Sequence, residues 1–180
     1  MSKDAAYQAL ASLAALSKQS AKGLPAQQKS APRWSGVGFS FMGFKFVTPM
    51  GIVAELMELP QSTRLPGVQP WVIGLSNVRG RLLALFDLPQ FLGGKLISQK
   101  KQRRVLVLET DTLYSGLVVD QAYGMQHFYI DSFRESVEGL PESIAPYVRG
   151  SYSNAQGEQW LVFRMETLAE DDRFTNAAAV

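Results

Sequence analysis

The chain has no cysteine, one histidine and a small net charge, and each shortage removes a class of chemistry. Without cysteine there are no disulfides, no thiolate metal sites and no thiol nucleophile. The same lack fits a reducing compartment. His127 stands alone, so no pair of histidines can hold a metal, and a Ser-His-Asp triad would have to run through it. A net charge of +2 over 180 residues is too small to imply a nucleic-acid partner. No apolar run approaches the ~18 residues needed to cross a bilayer. The first residues do not read as a signal peptide, because Asp4 lies where positive charge is expected and Ser and Gln interrupt the apolar stretch. The expectation is a soluble cytoplasmic protein with no direct membrane insertion.

Catalytic and cofactor motifs are missing too. No Gly-x-Ser-x-Gly elbow occurs; Gly74-Leu75-Ser76-Asn77-Val78 lacks the closing glycine. There is no Walker loop, and Gly36-Val37-Gly38 reads as the start of a strand rather than a dinucleotide fingerprint. The acidic pairs Glu55/Glu58 and Asp171/Asp172 are scattered, with nothing to place them in one cleft. The reading is a protein that is not an enzyme, with no cofactor and no metal.

What is present is enough for a packed core: 46% hydrophobic against 19% charged residues, in one domain or two small subdomains. Charge is uneven. Residues 1–35 sum to +4 and the remainder to −2. Residues 4–18 show helical spacing (Tyr7, Leu10, Leu13, Ala14) and alanine-rich propensity. Residues 19–33, with Gly23, Pro25 and Pro32, read as a linker. From Trp34 the apolar period becomes two: Val37, Phe39 and Phe41 alternate with small or polar residues. Pro60–Pro70 is a loop rich in breakers. Arg104–Glu109 and Tyr114–Asp120 read as a hairpin, and Tyr147–Tyr152 with Gln159–Phe163 as a last strand pair around Asn154–Gly157. Glu166–Asp172 reads as a short closing helix. Many short strands with frequent turns, and no alternation of strands with helices, predict an all-β barrel or sandwich. The expected organisation is a helix and linker over 1–34, a domain over 35–172 and a tail over 173–180. Within the domain, one half covers about 35–88 plus a closing segment and the other about 103–165. The basic run Lys95–Arg104 lacks interleaved aromatics for base stacking and reads as a solvated loop.

One stretch stands out. Asn77-Val78-Arg79-Gly80 sits between the apolar runs Trp71–Gly74 and Leu82–Leu88, with Asp87 at the end of the second. Asn and Gly tolerate turn geometry, so Arg79 is expected on a rigid hairpin tip, where a planar five-donor head suits carboxylates or backbone carbonyls. Asp87 is placed to brace that arginine or a backbone amide. A purely structural turn with an incidental arginine explains these residues equally well.

In order, Gly74, Asn77-Val78-Arg79-Gly80 and Leu83–Leu88 resemble the hallmark of the CheW-like adaptor family of bacterial chemosensory systems. Val53-Ala54-Glu55-Leu56, Gly116-Leu117-Val118-Val119-Asp120, Tyr147-Val148-Arg149-Gly150 and Trp160–Phe163 extend the likeness over about residues 37–170. Ala84 stands where the family often has proline. The Pro70-Trp71-Val72-Ile73-Gly74 approach and the long N-terminal extension resemble the adaptors of the type IV pilus (twitching-motility) pathway. The resemblance implies two SH3-like five-stranded β-barrel subdomains with short peripheral helices. It implies a non-catalytic adaptor recruited to membrane-bound receptor arrays. Its partners would be the cytoplasmic tip of a methyl-accepting chemoreceptor and the regulatory domain of a CheA-type histidine kinase. It also implies a partner-binding groove between the two halves, bordered by Val53, Glu55, Leu56, Arg64, Asn77, Val78, Arg79 and Gly80. Gly74, Asp87, Gly116 and Asp120 would be structural motif residues. The competing classes are a flagellar-type adaptor, a barrel that binds a small ligand in a deep pocket, and a nucleic-acid-binding barrel using Lys95–Arg104.

Overall fold

The computed structural model describes Gln8 and residues 31–111 and 113–178. The chain divides into two units, residues 1–32 and Arg33–Val180. The helix expected over 4–18 and the linker over 19–33 lie almost wholly outside the described residues; Gln8 is helical and Arg33 opens the first strand.

Among its described residues the second unit has ten strands: β1 (Arg33–Phe41), β2 (Phe44–Pro49), β3 (Val53–Glu58), β4 (Val72–Val78), β5 (Arg81–Asp87), β6 (Arg104–Glu109), β7 (Tyr114–Val119), β8 (Gln121–Tyr129), β9 (Val148–Ser153) and β10 (Gln159–Phe163). Short helices α1 (Leu88–Phe91), α2 (Met165–Ala169) and α3 (Asp172–Thr175) lie between and after them. The strands form two five-stranded sheets, ordered β8-β1-β2-β10-β9 and β3-β6-β7-β5-β4.

This pairing corrects the expected division into halves at 35–88 and 103–165. β1 and β2 belong with the C-terminal strands, and the second sheet is built from one continuous stretch, β3 to β7. The reason is long-range: β1 pairs antiparallel with β8, Arg33 opposite Tyr129 and Val37 opposite Met125. Local pattern identifies strands but not a partner so far along the chain. The expected 104–120 hairpin and the last strand pair form as read.

Three apolar layers hold the fold. On β6, Val105 and Val107 join Val78, Leu83, Leu85 and Val118 inside the second sheet. Their neighbours Leu106 and Leu108 point the other way, into a core shared with the first sheet. The first sheet divides alike. Val47, Trp160 and Val162 fill its interior with Phe128 and Tyr152, whereas Phe46, Leu161 and Phe163 enter the shared core. A strand buried on both faces needs no polar alternation, which is why Val105–Leu108 reads as an unbroken apolar run. In the shared core, Phe41 stacks on Phe46 at 4.2 Å between centroids and Phe163 stands edge-on to Phe46 at 5.7 Å. Such pairs contribute about 0.5–1.5 kcal/mol each beyond the area they bury.

The expected tail is also part of this core. Phe174 on α3 is 1% exposed. It packs on Trp71, Phe86 and Phe91, and Gln69 N–H donates to Ala177 O beyond it at 2.9 Å.

Candidate partner-binding site

Arg79 and Gly80 form a two-residue turn between β4 and β5. Both have positive φ, 52° and 81°, the geometry of a type I′ hairpin turn, which matches the twist of the strands it joins. Glycine enters this region freely, but an arginine there costs roughly 1–2 kcal/mol. Asn77 Oδ1 accepts the Gly80 N–H at 2.9 Å and braces the turn. The Arg79 side chain, 77% exposed, donates from Nη2 to Glu55 Oε1 at 2.7 Å.

Glu55 reaches that arginine because of a bulge. The β3–β6 register shifts between Val53 and Glu55. Before the shift Val53 lies opposite Leu108; after it Glu55 lies opposite Val107 and Leu56 opposite Leu106. A bulge inserts one unpaired residue and reverses the facing of the residues after it. Val53 and Leu56 therefore share the inter-sheet face, both half-buried against the shared core, and Glu55 takes the other face. β3 and β4 are the two edges of the second sheet. The Glu55–Arg79 pair thus ties one edge strand to the turn that leaves the other.

The remaining expected site residues divide. Asn77, Arg79 and Gly80 are exposed at this end. Val78 is not a surface residue: at 9% exposure it belongs to the interior of the second sheet. Strand alternation turns it inward between the exposed Asn77 and Arg79. Arg64 is exposed in the Pro60–Pro70 loop, where Thr63 pairs with Leu75 of β4.

The structural motif residues each have a physical cause. A Cβ on Gly74, at φ 145°, would lie 2.2 Å from Thr63 O, so only glycine lets that loop dock on β4. A Cβ on Gly116 would lie 2.6 Å from Val105 Cγ1 and 2.8 Å from Leu85 Cδ2, inside the second sheet. Asp87 does not brace Arg79. It caps α1, accepting the Gln90 N–H at 2.9 Å, and burial raises its carboxyl above the usual range, with that hydrogen bond opposing. Asp120 Oδ1 accepts the backbone N–H groups of Ile97 and Ser98, both at 2.8 Å, and pins the connection between β5 and β6. The basic run of that connection partly holds its own shape: Arg103 donates to Ser98 O and Arg104 to Lys101 O.

Three features went unread in the sequence. Arg81 pairs with Glu109 at 2.7 Å and lies 3.8 Å from the Tyr114 ring centroid, a second arginine anchored beside the turn. Leu82, directly opposite Asn77, is 66% exposed; its apolar neighbours along β5 gave no sign that the run ends outside the core. The buried Tyr147 hydroxyl donates to Asp171 and accepts from Arg173 Nη2 at 2.8 Å. Arg173, also bonded to Asp171 at 2.8 Å, holds the Asp171 carboxyl well below the ordinary range. His127 lies opposite Ser35 across β8 and β1, with Nδ1 2.7 Å from the Ser35 hydroxyl. No carboxylate bonds its ring among the described residues, and none of their His, Asp and Glu side chains cluster in a metal-holding group.

Comparison with known proteins agrees with this architecture. Protein PilI of Pseudomonas aeruginosa is 44% identical over 172 residues, 96% of each chain. The chemotaxis protein CheW of Bacillus subtilis is 24% identical over 106 residues, 59% of this chain and 65% of that one. The crystal structure of the scaffolding protein TtCheW from Thermoanaerobacter tengcongensis superposes with a TM-score of 0.66 at 19% identity, covering 79% of this chain and 96% of that one. The CheW-like domain family matches residues 35–173, and the chain belongs to that family.

Proposed function

We propose that this protein is a non-catalytic chemosensory adaptor. It couples the cytoplasmic tip of a methyl-accepting chemoreceptor to the regulatory domain of a CheA-type histidine kinase, in control of type IV pilus twitching motility. The observation that carries the reading is Arg79. An exposed arginine occupies a positive-φ position that asparagine or glycine would fill at lower cost, and backbone strain of this kind is a pointer to function. The end it occupies has what a protein-binding surface uses: exposed Leu82 beside the turn, and the ion pairs Glu55–Arg79 and Arg81–Glu109. The 44% identity to Protein PilI over nearly the whole of both chains favours the pilus pathway over the flagellar one. Both sheet interiors are filled with side chains, which favours an adaptor over a barrel that encloses a ligand.

Titration calorimetry with a receptor-tip fragment and a kinase regulatory domain tests the proposal. The expected affinity is micromolar, about −8 kcal/mol. No binding of either partner at high micromolar concentration overturns it.

A further inference from the structure

A cavity of about 490 Å³ opens at one end of the first sheet, lined by residues of that sheet and the segments attached to it and by none of the Glu55–Arg79 end. Trp34, Phe133, Tyr152 and Phe163 give it an aromatic side. Trp34 stacks on Tyr152 at 4.7 Å and 16°, and Phe133 leans on Tyr152 at 5.0 Å. Two arginines stand at its rim. Arg164 donates one Nη2 hydrogen bond to Pro146 O at 2.6 Å. Arg149, exposed on β9, enters no ion pair among the described residues. Glu166 also lines the cavity, so the charged groups there are two guanidinium ions and one carboxylate. Burial raises the Tyr152 hydroxyl above its usual range, and the charge of Arg149 opposes that rise.

A concave site of several hundred Å³, apolar in its walls with a few convergent polar groups, is the usual form of a small-ligand or side-chain pocket. Flat aromatic walls select a ring, which stacks offset or edge-on. An unpaired guanidinium selects a carboxylate, which it can bind through two parallel N–H bonds. We infer that this cavity binds an aromatic group carrying a carboxylate, the ring against the wall of Trp34, Tyr152 and Phe133 and the carboxylate on Arg149. Such a group comes either as a free aromatic acid or as an aromatic side chain beside an acidic one on a partner's peptide.

The Trp34 indole N–H reports on the cavity directly by 15N NMR. The probes are 3-phenylpropionate, its neutral amide 3-phenylpropanamide, and the peptide acetyl-Glu-Phe-Glu-amide. The acid and the peptide are expected to shift the Trp34 signal saturably, and the amide to bind at least about fivefold more weakly, a difference of about 1 kcal/mol. Arg149→Glu, at an exposed position, is expected to weaken the acid at least about tenfold while the melting temperature stays unchanged. Tighter binding of the peptide than of the acid assigns the site to a partner protein, and the reverse assigns it to a free acid. The inference is overturned if no probe saturates the Trp34 shift by about 20 mM, if the amide binds as well as the acid, or if Arg149→Glu leaves binding intact in a folded protein.

Discussion

At the scale of single residues, Arg79 and Asp171 are both charged groups held by an opposite charge, and they respond differently to change. Arg79 faces solvent, where an ion pair contributes about 0–1 kcal/mol, and its backbone conformation costs about as much or more. Arg79→Asn removes the pair and relieves the turn. Its stability is expected to stay level or rise by about 1 kcal/mol, while binding of the receptor and kinase fragments falls. Arg79→Ala loses binding too and keeps the strain, so it is expected to melt below the asparagine variant. Calorimetric binding measured beside thermal melting separates the two effects; a binding loss accounted for by unfolding alone contradicts the role given to Arg79. Asp171 has the depressed carboxyl. Its stabilisation is complete above the unfolded value near 3.8 and disappears as pH falls below that. Asp171→Asn is expected to cost about 1–2 kcal/mol at neutral pH and to flatten the loss of stability below about pH 4, as read by urea midpoints across pH. Asp87 carries the opposite sign. Its raised carboxyl is a cost at neutral pH that is relieved as pH falls, so Asp87→Asn, which keeps a capping oxygen, is expected to hold or raise the neutral-pH midpoint.

At the scale of elements, β4 shows how one missing side chain organises a loop. Thr63 exchanges both backbone hydrogen bonds with Leu75, at 2.8 and 2.9 Å, and the Ser76 hydroxyl donates to Gln61 O at 2.8 Å. Gly74 permits that approach. Gly74→Ala is expected to cost about 1–3 kcal/mol and to speed amide exchange at Thr63 and Leu75 well beyond that at Val105 or Val118; a uniform change across all four would contradict a local role. The strands themselves were legible in the sequence, because periods of two and paired turn residues are local signals. The Asn77–Gly80 turn was legible for the same reason. Three matters were not. The bulge beside Ala54 separates Glu55 from Val53 by a register shift that no composition marks. The resemblance put Val78 on the border of the groove, yet alternation buries it. The bracing of Arg79 by Glu55 rather than Asp87 depends on two sheet edges meeting, a property of the folded sheet and not of spacing along the chain.

At the scale of the whole molecule, the C-terminal segment links the two sheets. It leaves β10 of the first sheet and carries Phe174 to Trp71 and Phe86, beside the second. Its Ala177 and Ala178 lie against Gln69 and Val68 in the Pro60–Pro70 loop. Phe174→Ala is expected to cost about 3–5 kcal/mol and to expose the Pro66–Pro70 stretch to proteolysis, measured by limited digestion against the unaltered chain.

The continuous second sheet, inserted between β2 and β8, also sets an order of events during synthesis. Strands β3 to β7 have all their partners within their own stretch, so they can pair as soon as they leave the ribosome. The β1–β2 hairpin cannot complete its sheet, since Arg33 must wait for Tyr129, 96 residues later. At about 5–20 residues per second that delay is about 5–20 s. Through that interval Phe39, Phe41, Phe44 and Phe46 sit on a hairpin with two open edges, the kind of strand that recruits other chains. The nascent protein is thus most vulnerable to aggregation before its last third is made, and a chaperone that holds aromatic hairpins would act on this chain at its beginning rather than its end.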